Sequence, residues 1–171
     1  MEYIHIPKRL VEEARRRGID IETFVIETLT EKLGIDPREG AEIHLERAET
    51  FFREGVELVD KDPVQACEKL YKAAEECVKA LAKLLGLEEV LTRVRSRDRW
   101  TVTDLERTVQ VAARELGEDV RHGWDSANYL HVWGFHEAKL DAEAVKARIQ
   151  DIETMLRLVK EFLEKRKQSL S

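Results

Sequence analysis

Apolar residues recur every three or four positions along most of this chain, the spacing that places them on one face of an α-helix. Near the N-terminus this pattern predicts two short helices, one following Pro7 and one capped by Asp20 and ended by Gly34. Two long amphipathic helices follow from Ala41 and from Pro63, and they are predicted to form an antiparallel hairpin. The chain is therefore predicted to be all-α.

The rest of the chain carries further start and stop signals for helices. Residues 36–40 are predicted to form a turn, and a helical turn or two is expected over residues 87–94. Thr103 and Glu106 are predicted to form a capping box, which opens a helix that ends before Gly117. Asp141 is predicted to cap the final helix.

The N-terminal residues are predicted to form a unit of their own. Residues 3–6, Tyr-Ile-His-Ile, alternate as in a short strand, so residues 1–35 form a strand-helix-helix unit that resembles a ribbon-helix-helix. Residues 36–171 then form a helical bundle. In DNA-binding ribbon-helix-helix proteins the strands enter the major groove, but residues 1–34 carry six basic and seven acidic side chains. This balance argues against DNA and favours dimerisation or docking.

Composition narrows the functional class further. The 171 residues include 29 basic and 35 acidic ones, a net charge of −6, so nucleic acid would have to be bound by a local basic patch. Asn128 is the only asparagine, whereas Glu, Lys and Arg are abundant. This bias indicates a thermophilic source.

Cysteine usage and hydropathy indicate the compartment. Cys67 and Cys77 fall on one predicted helix at a separation of about 15 Å, which is too far for a disulfide. They are predicted to be core residues in a reducing environment. No apolar run approaches the roughly 20 residues that a membrane span requires, so a cytoplasmic protein without membrane contact is predicted.

Residues 120–140 contain a high density of the residue types that form catalytic and binding sites. They include three of the five histidines and two of the three tryptophans. On a straight α-helix His131 and His136 would lie about 140° apart, so they would not converge. Gly134 lies between them, and a bend there would redirect His136. In the alternative interpretation, Trp124 and the other aromatic residues are core and the histidines are half-buried, bonded to carbonyl groups.

A second candidate is the run of arginines at alternate positions before Trp100. Such a cluster suits phosphate binding, and the indole of Trp100 could stack on a base. The alternative is a solvated loop in which Trp100 fills the core. The run comprises Arg93, Arg95, Arg97 and Arg99.

Two segments resemble the HEPN superfamily. Residues 62–86, with the sequence DPVQACEKLYKAAEECVKALAKLLG, are similar to its second helix. Residues 130–136, LHVWGFH, stand where that superfamily carries an arginine followed after four to six residues by a histidine. His136 matches the signature histidine. The arginine position holds His131, and Val132 replaces the polar residue that usually follows.

More narrowly, residues 99–103 and 124–137 resemble the PaREP family of archaeal proteins, which is related to HEPN domains. The resemblance implies an up-and-down helical bundle that forms a homodimer, with the signature residues of both subunits in a shared cleft. It also implies metal-independent cleavage of RNA in active members of defence or toxin–antitoxin systems, and a partner protein such as a nucleotidyltransferase.

The residues themselves support RNA or nucleotide binding. Cleavage without metal needs one group that accepts the proton of the 2′-hydroxyl and another that protonates the leaving oxygen, which His131 and His136 can provide. Further contacts to RNA or a nucleotide are predicted for Arg93, Arg95, Arg97, Arg99, Trp100, Arg121, His122, Asp125, Tyr129, Trp133 and Glu137.

Two other interpretations compete with RNA binding. A metal site would use His131, His136 and Glu137, or His122 with Asp125, but neither set has the i,i+4 spacing of helical zinc ligands. No metal and no cofactor is therefore predicted. Alternatively, the protein is a non-enzymatic interaction or transcription-associated protein that acts through residues 1–35, and the histidines are core or dimer interface.

Overall fold

The computed structural model describes residues 3–169, which are helical through most of their length. The all-α prediction is confirmed for these residues. A π-helix, Leu130–His136, lies between the last two α-helices. The α-helices are α1 Lys8–Arg16, α2 Ile21–Lys32, α3 Pro37–Leu58, α4 Pro63–Leu84, α5 Glu88–Arg97, α6 Val102–Leu116, α7 Asp119–Tyr129 and α8 Ala142–Gln168.

Two predictions near the N-terminus are wrong. Residues 3–7 have no regular secondary structure, and no strand forms within residues 3–169. An isolated strand has no neighbour to pair its backbone groups, and none is present here. The predicted turn at residues 36–40 is instead the first turn of α3, because Asp36 and Glu39 form a capping box at its start.

The arginine run and the next helix start also differ from prediction. The capping box of α6 pairs Thr101 with Asp104, two residues earlier than the predicted pair of Thr103 and Glu106. Helix α5 continues to Arg97, so most of the arginine run is helical and not a loop. The helix ends at Asp98, which has a left-handed backbone with φ of 51°.

Helix α4 is the centre of the bundle, and most of its residues are buried. It packs antiparallel against α3, as predicted. At Gly55 of α3 a Cβ would lie 2.8 Å from Leu70 Cγ, so the two helices are in close contact there. Helices α7 and α8 cover another side of α4. None of the helices in residues 3–169 is long and apolar enough to cross a membrane.

A buried ionic cluster joins α3 to α4. His44 Nδ1 lies 2.7 Å from Glu76 Oε2, and the Nε of Arg47 donates to the same oxygen. Lys79 Nζ donates to the other oxygen of Glu76 at 2.9 Å and pairs with Glu75 at 2.8 Å. Charges buried to this extent are tolerated only when each has a partner.

The cluster also attaches the N-terminal helices to the bundle. Arg47 pairs with Glu22 of α2 at 2.7 Å, and Lys83 of α4 pairs with Glu27 of α2 at 3.1 Å. Only Thr23 is buried in α2, and α1 has no buried residue. Helix α2 is therefore attached to the bundle largely by ion pairs.

The surroundings of the cluster lower the pKa values of Glu76 and His44. Burial alone opposes ionisation of Glu76, but Lys79, His44 and Arg47 together hold its pKa well below its usual range. Burial lowers the pKa of His44 despite its contact with Glu76. The His44 ring is therefore neutral at pH 7, with Nδ1–H donating to the carboxylate.

We expect Glu76→Gln to lower the free energy of unfolding by about 3 kcal/mol, because Lys79 and Arg47 lose a buried counter-ion. Glu75→Gln, the same change at the more exposed neighbouring residue, should lose less than about 1 kcal/mol. Chemical denaturation of both variants measures the difference. Equal losses would show that the buried cluster contributes no more than a surface ion pair.

The cluster also predicts the direction of acid destabilisation. Glu76 and His44 both have pKa values in the folded protein below those of the unfolded chain. The unfolded chain therefore takes up protons first as the pH falls, from about 6.5 for histidine and about 4.3 for glutamate. Denaturation between pH 7 and pH 4 should show steadily falling stability, with a shallower fall in Glu76→Gln.

Candidate functional site

The π-helix exists where Gly134 lies directly against α4. A Cβ at Gly134 would lie 2.8 Å from Cys67 Cβ and closer still to Cys67 Sγ, so only glycine fits without displacement. In a π-helix the backbone bonds run from residue i to i+5, so residues five apart lie one turn apart. His131 and His136 have this separation and therefore lie on the same side.

The two histidines and a glutamate form a hydrogen-bonded chain, which we call the relay. His136 Nε2 lies 3.0 Å from His131 Nε2, and His131 Nδ1 lies 2.9 Å from Glu68 Oε2 of α4. Glu68 and His131 are half-buried, whereas His136 is exposed. The relay therefore runs from the bundle to the surface and ends at His136.

The hydrogen-bonding roles follow from the carboxylate at one end. Ionised Glu68 can only accept, so His131 Nδ1 carries the proton and its Nε2 is the acceptor in the neutral ring. The Nε2–H of His136 then donates to His131. This leaves His136 Nδ1 with a lone pair, and no residue in the described part of the chain is bonded to it. His136 can therefore accept a proton from a ligand through Nδ1.

The ring of His131 is held in place from two sides. Tyr71 of α4 stacks on it with ring centroids 3.9 Å apart, and Phe135 lies on a nearly parallel plane at 5.9 Å. Burial raises the pKa of Tyr71, so its phenol stays protonated. Burial likewise raises the pKa of Cys67 to about 11, which Arg148 offsets only in part, so this thiol is not a nucleophile.

Two exposed aromatic side chains with cations beside them lie at the end of α7 and on the π-helix. Tyr129 and Trp133 are 39% and 43% exposed. The guanidinium of Arg148 in α8 lies 3.9 Å from the ring centroid of Tyr129, and Lys139 Nζ lies 5.6 Å from that of Trp133. Exposed rings beside cations suit single-stranded nucleic acid, because bases stack on the rings and phosphates pair with the cations.

Other predicted site residues form local ion pairs or are exposed, and none of the described hydrogen bonds joins them to the relay. Arg121 pairs with Glu118, and His122 lies 3.6 Å from Asp119, both on the surface of α7. Asp125 is exposed, and Glu137 lies 3.7 Å from Lys139. Of the predicted residues, the structure brings together His131 and His136.

Three arginines of the run have acidic partners within the fold. Arg93 and Arg97 both pair with buried Asp104, and Arg95 pairs with Glu88. Burial opposes ionisation of Asp104, but hydrogen bonds from Thr101 and the two arginines hold its pKa below its usual range. Arg93 and Arg97 thus join α5 to α6, whereas Arg95 pairs within α5. Their predicted contact with RNA remains a prediction.

Sequence reasoning missed Glu68, Tyr71 and Arg148 as parts of this region. All three lie on helices whose amphipathic pattern was interpreted as core packing. Glu68 lies one helical turn before Tyr71 on a helix with many charged residues, so nothing in the sequence distinguishes it from the solvated positions of α4. Nothing in the sequence indicates that Arg148 reaches Tyr129.

The described residues around the relay do not form a cluster of metal ligands. Within residues 3–169 no group of three or more His, Cys, Asp or Glu side chains is arranged to hold a metal ion. The relay provides two imidazoles and one carboxylate, but they are bonded to one another in a line, which uses the nitrogens that would face a metal.

The fold and the relay define an all-helical protein with a hydrogen-bonded pair of histidines near its surface. The family model described as the archaeal PaREP1/PaREP8 family matches residues 43–156, and the chain belongs to this family. The matched residues include α4 and the π-helix, and hence the whole relay.

Two solved structures have a similar fold. A crystal structure of a protein from Sulfolobus solfataricus is 36% identical, with a TM-score of 0.64, and the match covers 69% of this chain and 97% of that one. A solution structure of the same structural genomics target is also 36% identical, with a TM-score of 0.60, and the match covers 69% and 92% of the two chains. No curated protein matches the chain.

We expect Gly134→Ala to destabilise the protein by about 2 kcal/mol, because the added methyl overlaps Cys67. Cys67→Ala removes the nearer obstructing atom, so the double variant should lose less stability than the sum of the two single changes. Thermal unfolding of the three variants tests this coupling. Additive losses would mean that the contact with Cys67 does not require glycine.

Proposed function

We propose that this protein is a HEPN-like homodimer that binds RNA at the relay and cleaves it slowly without a metal ion. The observation that carries the proposal is the chain of hydrogen bonds from Glu68 through His131 to exposed His136. Such a chain holds the imidazoles in defined tautomers and leaves one ring nitrogen for a ligand.

The chemistry follows from the positions of the protons. His136 Nδ1 can accept the proton of a 2′-hydroxyl, whose oxygen then attacks the adjacent phosphorus. The resulting positive charge is shared across the His136–His131 hydrogen bond and is stabilised by Glu68. The protonated pair can return a proton to the departing 5′-oxygen, so that each cycle restores the starting state.

Substrate positioning would use the exposed surface of the π-helix. Bases can stack on Trp133 and Tyr129, with Lys139 and Arg148 close to the phosphates. None of the ion pairs or hydrogen bonds of the described residues places an arginine on the relay itself. Stabilisation of the transition-state charge is therefore weaker than with an arginine beside the histidine, and slow turnover follows.

The relay predicts that purified protein cleaves mixed single-stranded and structured RNA at neutral pH in the presence of EDTA. His136→Ala should reduce the rate at least about 100-fold, because it removes the group that exchanges protons with the substrate. His5→Ala, at an exposed histidine that is not among the predicted RNA contacts, is the matched control and should leave the rate unchanged. Gel analysis of end-labelled RNA measures all three.

Three results would each contradict parts of this proposal. Equal rates for wild type and His136→Ala would assign cleavage to a contaminant. Loss of activity on addition of EDTA would indicate a metal-dependent reaction. If even high wild-type concentrations fail to cleave, the enzymatic part is wrong, and RNA titration of wild type against Trp133→Ala would then test binding alone.

A second candidate function is docking through the N-terminal unit, as an interaction or transcription-associated protein. The specific observation is that apolar side chains of this unit face solvent, including Leu10, Phe24, Leu29 and Leu33. Exposed apolar residues concentrated in one region indicate an interaction surface. We propose that a second copy of the chain covers it.

This second candidate predicts the oligomeric state of a variant. Leu29→Asp should convert a dimer into a monomer, because it places a charge in the apolar contact. Val102→Asp, at an apolar residue that is 61% exposed outside the unit, is the control and should stay dimeric. Light scattering after size exclusion measures both masses. A dimer in Leu29→Asp would assign dimerisation to the bundle instead.

A further inference from the structure

A cavity that the relay does not use lies between the N-terminal unit and the bundle. It has a volume of about 780 Å³, within the range of small-molecule sites. The turn between α1 and α2 forms one wall, with the Asp20 N–H donating to the Asp98 carbonyl at 3.1 Å. Helices α3 and α4 and the residues before α6 form the others.

The charges on the cavity wall do not balance. Five basic residues line it, and two of these, Arg47 and Lys79, have carboxylate partners in the buried ionic cluster. The remaining three, Arg15, Lys72 and Arg99, have no carboxylate within ion-pair distance among residues 3–169. Lys72 Nζ lies 5.6 Å from the ring centroid of Phe51, which leaves its charge without a counter-ion. Three cations without a carboxylate partner that border one cavity constitute an anion-binding arrangement.

Four carboxylates also line the cavity, so its five cations exceed them by one charge. Glu75 and Glu76 are bonded to Lys79, and Glu22 is bonded to Arg47. Asp20 accepts the N–H of Thr23 as the cap of α2. Each acidic side chain is thus already engaged.

An aromatic surface completes the site. Trp100 is half-buried, packs against the core and lines the same cavity next to Arg99. Arg99 lies against the backbone of Gly18, where its Nη1 would be 3.3 Å from an added Cβ. A ligand with a flat ring and a phosphate can therefore meet the indole of Trp100 and the guanidinium of Arg99 together.

We propose that this cavity binds a nucleoside phosphate, with its base against Trp100 and its phosphate between Arg99, Arg15 and Lys72. The site is separate from the relay and does not rest on the function proposed for it. Arg15 and the α1–α2 turn precede residue 43, where the family match begins, so the site depends on a part of the chain outside that match. A bound ligand would hold the N-terminal unit against the bundle.

The test is calorimetric titration of the full chain with AMP and with ATP, and separately with adenosine and with inorganic phosphate. A nucleotide should bind more tightly than either of its parts. Arg99→Gln and Arg15→Gln should each weaken nucleotide binding at least about tenfold, because each removes a charged hydrogen bond to phosphate. Both side chains are exposed, so neither change threatens folding.

Arg107→Gln is the matched control, because Arg107 is an exposed arginine of α6 that does not line this cavity. The affinity of Arg107→Gln for the nucleotide should equal that of wild type. Absence of saturable nucleotide binding, equal weakening by Arg107→Gln and Arg99→Gln, or phosphate binding as tight as nucleotide binding would each overturn the assignment. Loss of nucleotide binding in His136→Ala, with binding by Arg99→Gln unchanged, would place the nucleotide at the relay and would also overturn it.

Discussion

The relay depends on one close approach between two helices, that of Gly134 to Cys67 on α4. Because Gly134 has no side chain, the backbone of the π-helix can rest directly on α4. The wider turn of the π-helix then brings His131 and His136 to the same side, whereas a regular α-helix would separate them by about 140°. The same approach presents His131 to Glu68 and Tyr71, so a single backbone contact determines both the histidine pair and its orientation.

Helix α4 performs two tasks that place opposite demands on its sequence. It is the core of the bundle, which requires small apolar residues such as Ala74 and Cys77, and it also carries Glu76 and Lys79 in buried positions. Burying these charges is tolerable because each is hydrogen-bonded to a partner. Their arrangement fixes the register of α3 on α4 more specifically than apolar packing would, since an unpaired charge would result from any shift.

Periodicity and capping predicted the helices because these signals are local. Asp20, Asp62 and Asp141 each cap the helix predicted for them. The wrong predictions have different causes. A strand at residues 3–6 requires a neighbour, whereas the starts of α3 and α6 follow from local capping boxes, Asp36 with Glu39 and Thr101 with Asp104. The sequence alone predicts His131 and His136 as candidate site residues and a bend of the helix at Gly134. Its form, a π-helix, and the partner Glu68 depend on tertiary contact, which periodicity does not encode.

The relay and the nucleotide cavity share α4 yet are built differently. Tyr71 supports the relay, and the next residue, Lys72, borders the cavity. Two sites are coupled when an element between them has two arrangements and each ligand shifts the equilibrium between those arrangements. Helix α4 is packed on most sides and has no such freedom, whereas α1 and α2 contribute almost no buried side chains, and α2 forms ion pairs with α3 and α4. A ligand in the cavity therefore acts on the position of the N-terminal unit, and the geometry of the relay stays unchanged.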